Sequence, residues 1–197
     1  TDEAGADESG VVTLTGPVTL AGNTTIDTDS TSNNGAVTFS STVDGAKTLT
    51  ITSGSGAVEF GGNIGATTAL SDVTVNSSAG TGTITFSGNV GADATTAGAA
   101  VVTVGNSDTA SITFAGVEFT TSGAQTFTAD AYSITGADST FGSSNDNITF
   151  ADGGADGGIT LADIADLTIT TELGGSGGGN IAAVSYTHLT LPTNSSV

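Results

Sequence analysis

The amino-acid sequence predicts an all-β fold, specifically a right-handed parallel β-helix (β-solenoid) with irregular coils of about 21–29 residues. Three observations lead to this prediction. Short apolar–polar alternations recur along the chain, they recur in pairs, and the segments between them are rich in glycine and asparagine. No long segment repeats its apolar residues at the 3.6-residue period of an amphipathic helix, so the pattern favours strands.

Three copies of one repeat follow each other over residues 35–110. Each copy opens on an apolar–polar–Phe triplet (37–39, 58–60 and 84–86) and closes on a second alternating triplet (49–51, 73–75 and 102–104). Turn-like stretches at 43–46, 64–66 and 90–92 separate the two triplets of each copy. Alternation over three to five residues is typical of a half-buried strand, so we expect the Val, Ile and Phe of each triplet to face inward.

The repeat length favours a solenoid over other repetitive β folds. Phe39, Phe60, Phe86 and Phe114 open successive copies and are 21, 26 and 28 residues apart. Propeller blades repeat at about 40–50 residues, and a sandwich does not need near-identical neighbouring units. Coils stacked about 4.8 Å apart would align equivalent residues in ladders, and roughly eight coils would make a rod near 40 Å long. The motif spacing leaves the coil register open between residues 111 and 147.

The chain divides into three segments: an acidic N-terminal lead-in (1–9), the solenoid repeats (10–183) and an atypical tail (184–197). The tail, VSYTHLTLPTNSSV, lacks glycine, and its run YTHLTLPT resembles translated sequencing-adapter read-through. We therefore expect it not to be native to the fold, the alternative being a capping strand through Leu189 and Leu191. The first residues include no initiator Met, basic region or apolar signal core, so we expect a fragment of a longer secreted protein.

Charge and composition exclude several classes of function. The 197 residues include 20 Asp and Glu but one basic residue, Lys47, which gives a net charge of −19, and they include no Cys. A single cation cannot neutralise phosphates or anionic lipid, so we expect no nucleic-acid partner and no direct membrane insertion. Without Cys there is no disulfide, thiolate metal site or cysteine nucleophile. The hydrophobic fraction of 36% is too high for a typical disordered acidic chain.

Paired carboxylates are the candidate catalytic groups, because two of them can hydrolyse a glycosidic bond without a cation. The candidate pairs are Asp152 with Asp156 and Asp163 with Asp166. The loop 152–158 and the Asp27–Thr28–Asp29 run also contain oxygen ligands of the kind that calcium prefers. Neither completes a calcium-binding repeat, and Asp beside Gly commonly forms Asx-turns, which is the interpretation we prefer. His188, the only histidine, lies in the atypical tail, so no catalytic residue, metal ligand or cofactor is assigned.

Threonine triplets could order water on a flat face, as in ice-binding β-helices. They occur at Thr13/Thr15, Thr48/Thr50/Thr52, Thr83/Thr85 and Thr168/Thr170. The triplets do not recur in every coil, and Thr is a common exposed residue of strands, so we prefer the structural interpretation.

The units GAVEFGGNIGATTALSDVTV (56–75) and GTITFSGNVGADATT (82–96) resemble repeats of filamentous-haemagglutinin-like and autotransporter-type bacterial surface adhesins. The segment 116–135 resembles a further element of such arrays, and the likeness covers roughly residues 10–170. It implies secretion to the bacterial cell surface and a β-helical stalk without cofactors. It also implies adhesion to host or environmental glycans or proteins, or self-association. We therefore expect a structural and adhesive stalk segment and not an enzyme. The alternatives are a polysaccharide-active β-helix hydrolase or an ice-binding or calcium-binding solenoid.

Overall fold

The computed structural model describes residues 10–184, apart from 32, 77, 93–96, 155–157, 162–165 and 173–177. Every regular element in this part of the chain is a β-strand, which confirms the all-β prediction. In chain order, the strands are β1 (Val12–Leu14), β2 (Val18–Thr19), β3 (Thr24–Asp27), β4 (Val37–Phe39), β5 (Val43–Asp44), β6 (Leu49–Thr52), β7 (Val58–Phe60), β8 (Leu70–Val75), β9 (Ile84–Phe86), β10 (Ala99–Gly105), β11 (Ser111–Phe114), β12 (Glu118–Thr121), β13 (Gln125–Ala129), β14 (Ala131–Ile134), β15 (Ser139–Ser143), β16 (Ile148–Asp152), β17 (Ile159–Leu161), β18 (Leu167–Thr170) and β19 (Ile181–Val184).

The strands stack coil upon coil in three parallel ladders, so the predicted parallel β-solenoid is confirmed, with about 6 turns. Face A contains β1, β4, β7, β9, β11, β14 and β17, and face C contains β3, β6, β8, β10, β13, β16 and β19. Face B lies between them along the chain and contains β2, β5, Ile64, Val90, β12, β15 and β18. The opening triplets of the repeats therefore form face A, and the closing triplets form face C. The handedness of the coil stays a prediction.

The coils differ in length while their registers stay aligned. Along face A, the first core residues of successive strands are Val12, Val37, Val58, Ile84, Ile112, Tyr132 and Ile159, at steps of 25, 21, 26, 28, 20 and 27 residues. Six steps span these residues, so our expectation of eight coils is wrong: the loops between faces lengthen most coils beyond the shortest repeat. The shortest step falls in the region whose register the sequence left open, where Ile112 pairs with Tyr132 and Phe114 with Ile134.

Face B corrects the interpretation of the stretches at 43–46, 64–66 and 90–92 as turns alone. Val43 belongs to strand β5, and single-residue parallel bridges connect Val43 to Ile64, Ile64 to Val90 and Val90 to Phe119. All three aliphatic side chains are buried. In these coils face B has a single buried apolar residue between glycine-rich flanks, which produces no alternation in the sequence, so this part of the third ladder was not predicted.

The core confirms the predicted inward positions of the opening triplets. Val37/Phe39, Val58/Phe60 and Ile84/Phe86 are buried, and each pair lies directly over the next. Stacked rings join Phe39 to Phe60, Phe60 to Phe86 and Phe86 to Phe114, with centroids 5.4, 5.1 and 5.7 Å apart. These centroid distances lie in the range of favourable aromatic stacking, so the ring ladder stabilises the coils by more than the burial of apolar area alone.

The corners are held by asparagine side chains that connect one coil to the next. Asn63 Oδ1 accepts a hydrogen bond from the Asn89 N–H at 3.0 Å, and Asn89 Oδ1 accepts one from the Val117 N–H at 2.9 Å. These bonds satisfy backbone donors that the strand ladders leave unpaired. Val184, the first residue of the predicted tail, forms part of β19, whereas residues 1–9 and 185–197 lie outside the described part of the chain.

Candidate functional site

Two of the acidic residues named as candidates, Asp152 and Asp27, hold local turns. Asp152 Oδ1 accepts the Gly154 N–H at 2.9 Å, and Asp27 Oδ1 accepts the Asp29 N–H at 3.0 Å, both in Asx-turn geometry. Asp166 is exposed, while Asp156 and Asp163, the other members of the two candidate pairs, lie outside the described residues. Among the described residues no group of three or more His, Cys, Asp or Glu could hold a metal ion.

Asp44 has a comparable role between coils. Its Oδ1 accepts the N–H groups of Thr67 at 2.8 Å and Thr68 at 3.0 Å, which anchors the loop of the following coil. Lys47 is half-buried beside this corner, and its backbone N–H donates to the Gly45 carbonyl oxygen at 2.7 Å. His188 lies outside the described residues. Asp27, Asp44 and Asp152 thus accept backbone N–H groups, each on a different coil.

A small gap in the core lies at the level where phenylalanines are found on faces B and C as well as on face A. It is lined by Phe86, Val90, Val102, Phe119, Thr121, Gln125 and Phe127, and it is too small to hold a water molecule. Gln125 is buried there, and its Nε2 donates to the carbonyl oxygens of Phe119 at 2.8 Å and Gly142 at 2.7 Å. Its Oε1 has no hydrogen-bond partner among the described residues. This amide therefore joins strands β12 and β15 within the core and is not a ligand site.

The outer surfaces of faces A and C carry columns of threonine. On face C, Thr25, Thr50, Thr74, Thr103, Thr126 and Thr149 pair in direct succession, and Ala182 follows them. The equivalent column of face A is Thr13, Thr38, Glu59, Thr85, Thr113, Ser133 and Thr160. An unbroken hydroxyl column thus covers six coils of face C, whereas Glu59 interrupts the column of face A.

The Thr-x-Thr triplets noted in the sequence contribute only single residues to these columns: Thr13 and Thr85 to face A, and Thr50 to face C. Thr13/Thr15 and Thr83/Thr85 lie along face A, Thr48/Thr50/Thr52 along face C, and Thr168/Thr170 in β18 of face B. The face C column instead takes one threonine from each coil, at separations of 23 to 29 residues. Coil length varies too much for a fixed period to reveal this column. The signal that could have found it is the central Thr shared by every closing triplet.

Within the described residues, no helix is long and apolar enough to cross a membrane. Comparison with protein-family models, with curated proteins and with solved structures finds no match to this chain.

Proposed function

We propose that this chain is a structural and adhesive stalk segment of a secreted bacterial surface protein. The observation that carries the proposal is the arrangement of the core. A single apolar core runs through every coil from Val37 to Ile159, and among the described strands each coil pairs only with the coil above and the coil below. Such a stack can be lengthened by adding coils without changing the existing ones, which is what a spacer requires.

The distribution of charge is consistent with a stalk. The protein has a net charge of −19, and Asp27, Asp44 and Asp152 lie at the ends of strands β3, β5 and β16, on different coils. Like charges spread over a rod oppose side-by-side association and protect exposed strand edges from uncontrolled pairing. The bacterial and secreted setting rests on the resemblance of residues 56–75 and 82–96 to adhesin repeats.

Adhesion and catalysis can be separated with the purified chain. Beads coated with the protein are passed over immobilised glycans, matrix proteins and the protein itself, and the retained beads are counted under flow. We expect retention on at least one surface and no release of reducing sugar from acidic or neutral polysaccharides. Retention on none of them would contradict the adhesive role, and sugar release with turnover would replace it with the hydrolase.

A further inference from the structure

The six threonines of face C carry hydroxyl groups that make no hydrogen bond to the described residues of the protein. Within the described part of the chain, none of the side chains of Thr25, Thr50, Thr74, Thr103, Thr126 and Thr149 makes a hydrogen bond to another protein group. Threonines that point into corners behave differently: the Thr28 hydroxyl donates to the Gly35 carbonyl at 2.7 Å, and that of Thr121 to Gly123 at 2.6 Å. The face C hydroxyls are therefore available to solvent or to a ligand.

The spacing of the column is set by the backbone. Paired strands lie about 4.8 Å apart, which is too far for neighbouring hydroxyls to bond one another directly. In tetrahedral water, two molecules bonded to a common third are roughly 4.5 Å apart, given an O–H···O distance of about 2.75 Å. Successive threonines of face C therefore repeat at nearly the second-neighbour distance of an ice lattice. The accumulated offset amounts to about 1.5 Å over the five steps of the column.

The chemistry of face C disfavours other classes of ligand. The column carries no charge, although Asp27 and Asp72 lie beside it, so it cannot attract a phosphate or a sulfated polymer. All nine aromatic side chains that the structure describes are buried, so face C offers no platform on which a sugar ring could stack. Each hydroxyl and methyl pair binds weakly by itself. Only a rigid lattice that contacts many of these threonines at once adds up enough weak contacts to bind.

We propose that face C binds the surface of ice through this column of threonines. The inference does not depend on the stalk role, because it uses an outer surface that the stacking of coils does not consume. Face A provides an internal comparison, because the same fold and spacing there carry Glu59 in the third position and Ser133 in the sixth.

The test uses the whole chain carrying a fluorescent label. A single ice crystal is grown slowly in the labelled protein, and the fraction of label taken into the ice is measured, together with the gap between melting and freezing temperatures. We compare wild type, Thr103→Arg at the centre of face C, and the matched Thr113→Arg on face A. Thr103 and Thr113 are both half-buried strand residues. Thr103 has a threonine partner in each neighbouring coil, and Thr113 has one in the preceding coil. Thr126→Arg serves as a second face C variant if Thr103→Arg does not fold, as judged by circular dichroism.

We expect wild type to enter the ice and to open a measurable temperature gap, the face C variants to lose both, and Thr113→Arg to retain them. Exclusion of wild type from the ice would overturn the proposal. Equal loss in the folded face A and face C variants would also overturn it, since binding would then not be specific to face C.

Discussion

Phe60 shows most directly how single residues hold the coils together. It is 1% exposed and stacks between Phe39 and Phe86. We expect Phe60→Ala to lower the free energy of unfolding by about 3–5 kcal/mol, because removing the ring leaves a cavity between two coils. The measurement is the urea midpoint. Glu59→Ala, one residue earlier and facing outward, is the control and should change stability by no more than about 0.5 kcal/mol. A Phe60→Ala midpoint equal to that of the control would contradict the stacking account.

The sequence predicted the first part of this ladder and not its continuation. The motif apolar–polar–Phe placed Phe39, Phe60 and Phe86 correctly, because alternation fixes which side of a strand faces inward. In β14 the order is reversed, with Tyr132 in the first core position and Ile134 in the second. Phe141 of face B and Phe150 of face C fill the interior at that level, in edge contact with Phe114. Large side chains on faces B and C thus fill the space that a phenylalanine of face A fills in earlier coils. This compensation depends on which residues share a coil, and the motif does not contain that information.

Gln125 provides a pH-dependent prediction at the residue scale. Its Nε2 donates to two backbone carbonyl oxygens, so a carboxylate in its place would face two acceptors with no donor. We expect Gln125→Glu to cost about 3–5 kcal/mol at neutral pH, as for an uncompensated buried charge.

The sign with pH follows from this environment. Burial raises the pKa of a glutamate at position 125 above its unfolded value. The loss of unfolding free energy relative to wild type is therefore smallest in acid and grows as pH rises toward and through the raised pKa. Unfolding is measured for wild type, Gln125→Glu and the outward-facing control Thr126→Glu across a pH series. A penalty for Gln125→Glu that does not change with pH, or one no larger than that of Thr126→Glu, would show that the amide is not a buried donor.

At the scale of elements, the corner that follows the face A strands leaves no room for a side chain at three stacked glycines. A Cβ on Gly88 would overlap the backbone of Gly62 in the coil below, and Gly116 and Gly136 each meet the preceding glycine of the same column in the same way. Successive coils approach closely here, which leaves no room for a methyl group. The glycines of this corner are therefore required by packing between coils and not only by the shape of a turn.

Replacing one of these glycines should therefore be costly. We expect Gly88→Ala to destabilise the protein by about 1–3 kcal/mol, since the backbone of one coil must shift to admit the methyl group. Gly16→Ala is the matched control, because no atom lies within 4 Å of the Cβ that it would add. Thermal unfolding followed by circular dichroism compares the two variants. If Gly88→Ala melts no lower than Gly16→Ala, the close approach of the coils is not a constraint on stability.

The sequence allowed faces A and C to be predicted as strands but not the third ladder, and over residues 35–110 the reason is that the elements of this ladder are short. Strand β5 has two residues, and Ile64 and Val90 each pair through a single bridge. Alternation needs at least three or four residues to stand out against its surroundings. The threonine column of face C escaped prediction for a related reason, since it becomes a surface feature only after the registers of six coils are known.

For the whole molecule, the net negative charge should lower thermal stability, and salt should restore part of it. A net charge of −19 on a stack of about 6 turns repels itself, and salt shortens the range of that repulsion to about 10 Å at about 0.1 M. We expect the melting temperature to rise from low to moderate NaCl. A flat or falling melting temperature would contradict this expectation. Calcium and magnesium at equal ionic strength should act alike, and a much larger rise with calcium would indicate a specific site.

Because the coils differ in length, mechanical unfolding should distinguish one coil from another. If the two ends are pulled apart, coils should detach one at a time, because the described strands of each coil pair only with those of neighbouring coils. An extended chain gains about 3.5 Å per residue, so the 20-residue step from Ile112 to Tyr132 would release roughly 70 Å. The 28-residue step from Ile84 to Ile112 would release roughly 100 Å. In an optical trap, the sequence of length increments would therefore record the order in which the coils opened, and with it the end from which the molecule began to unravel.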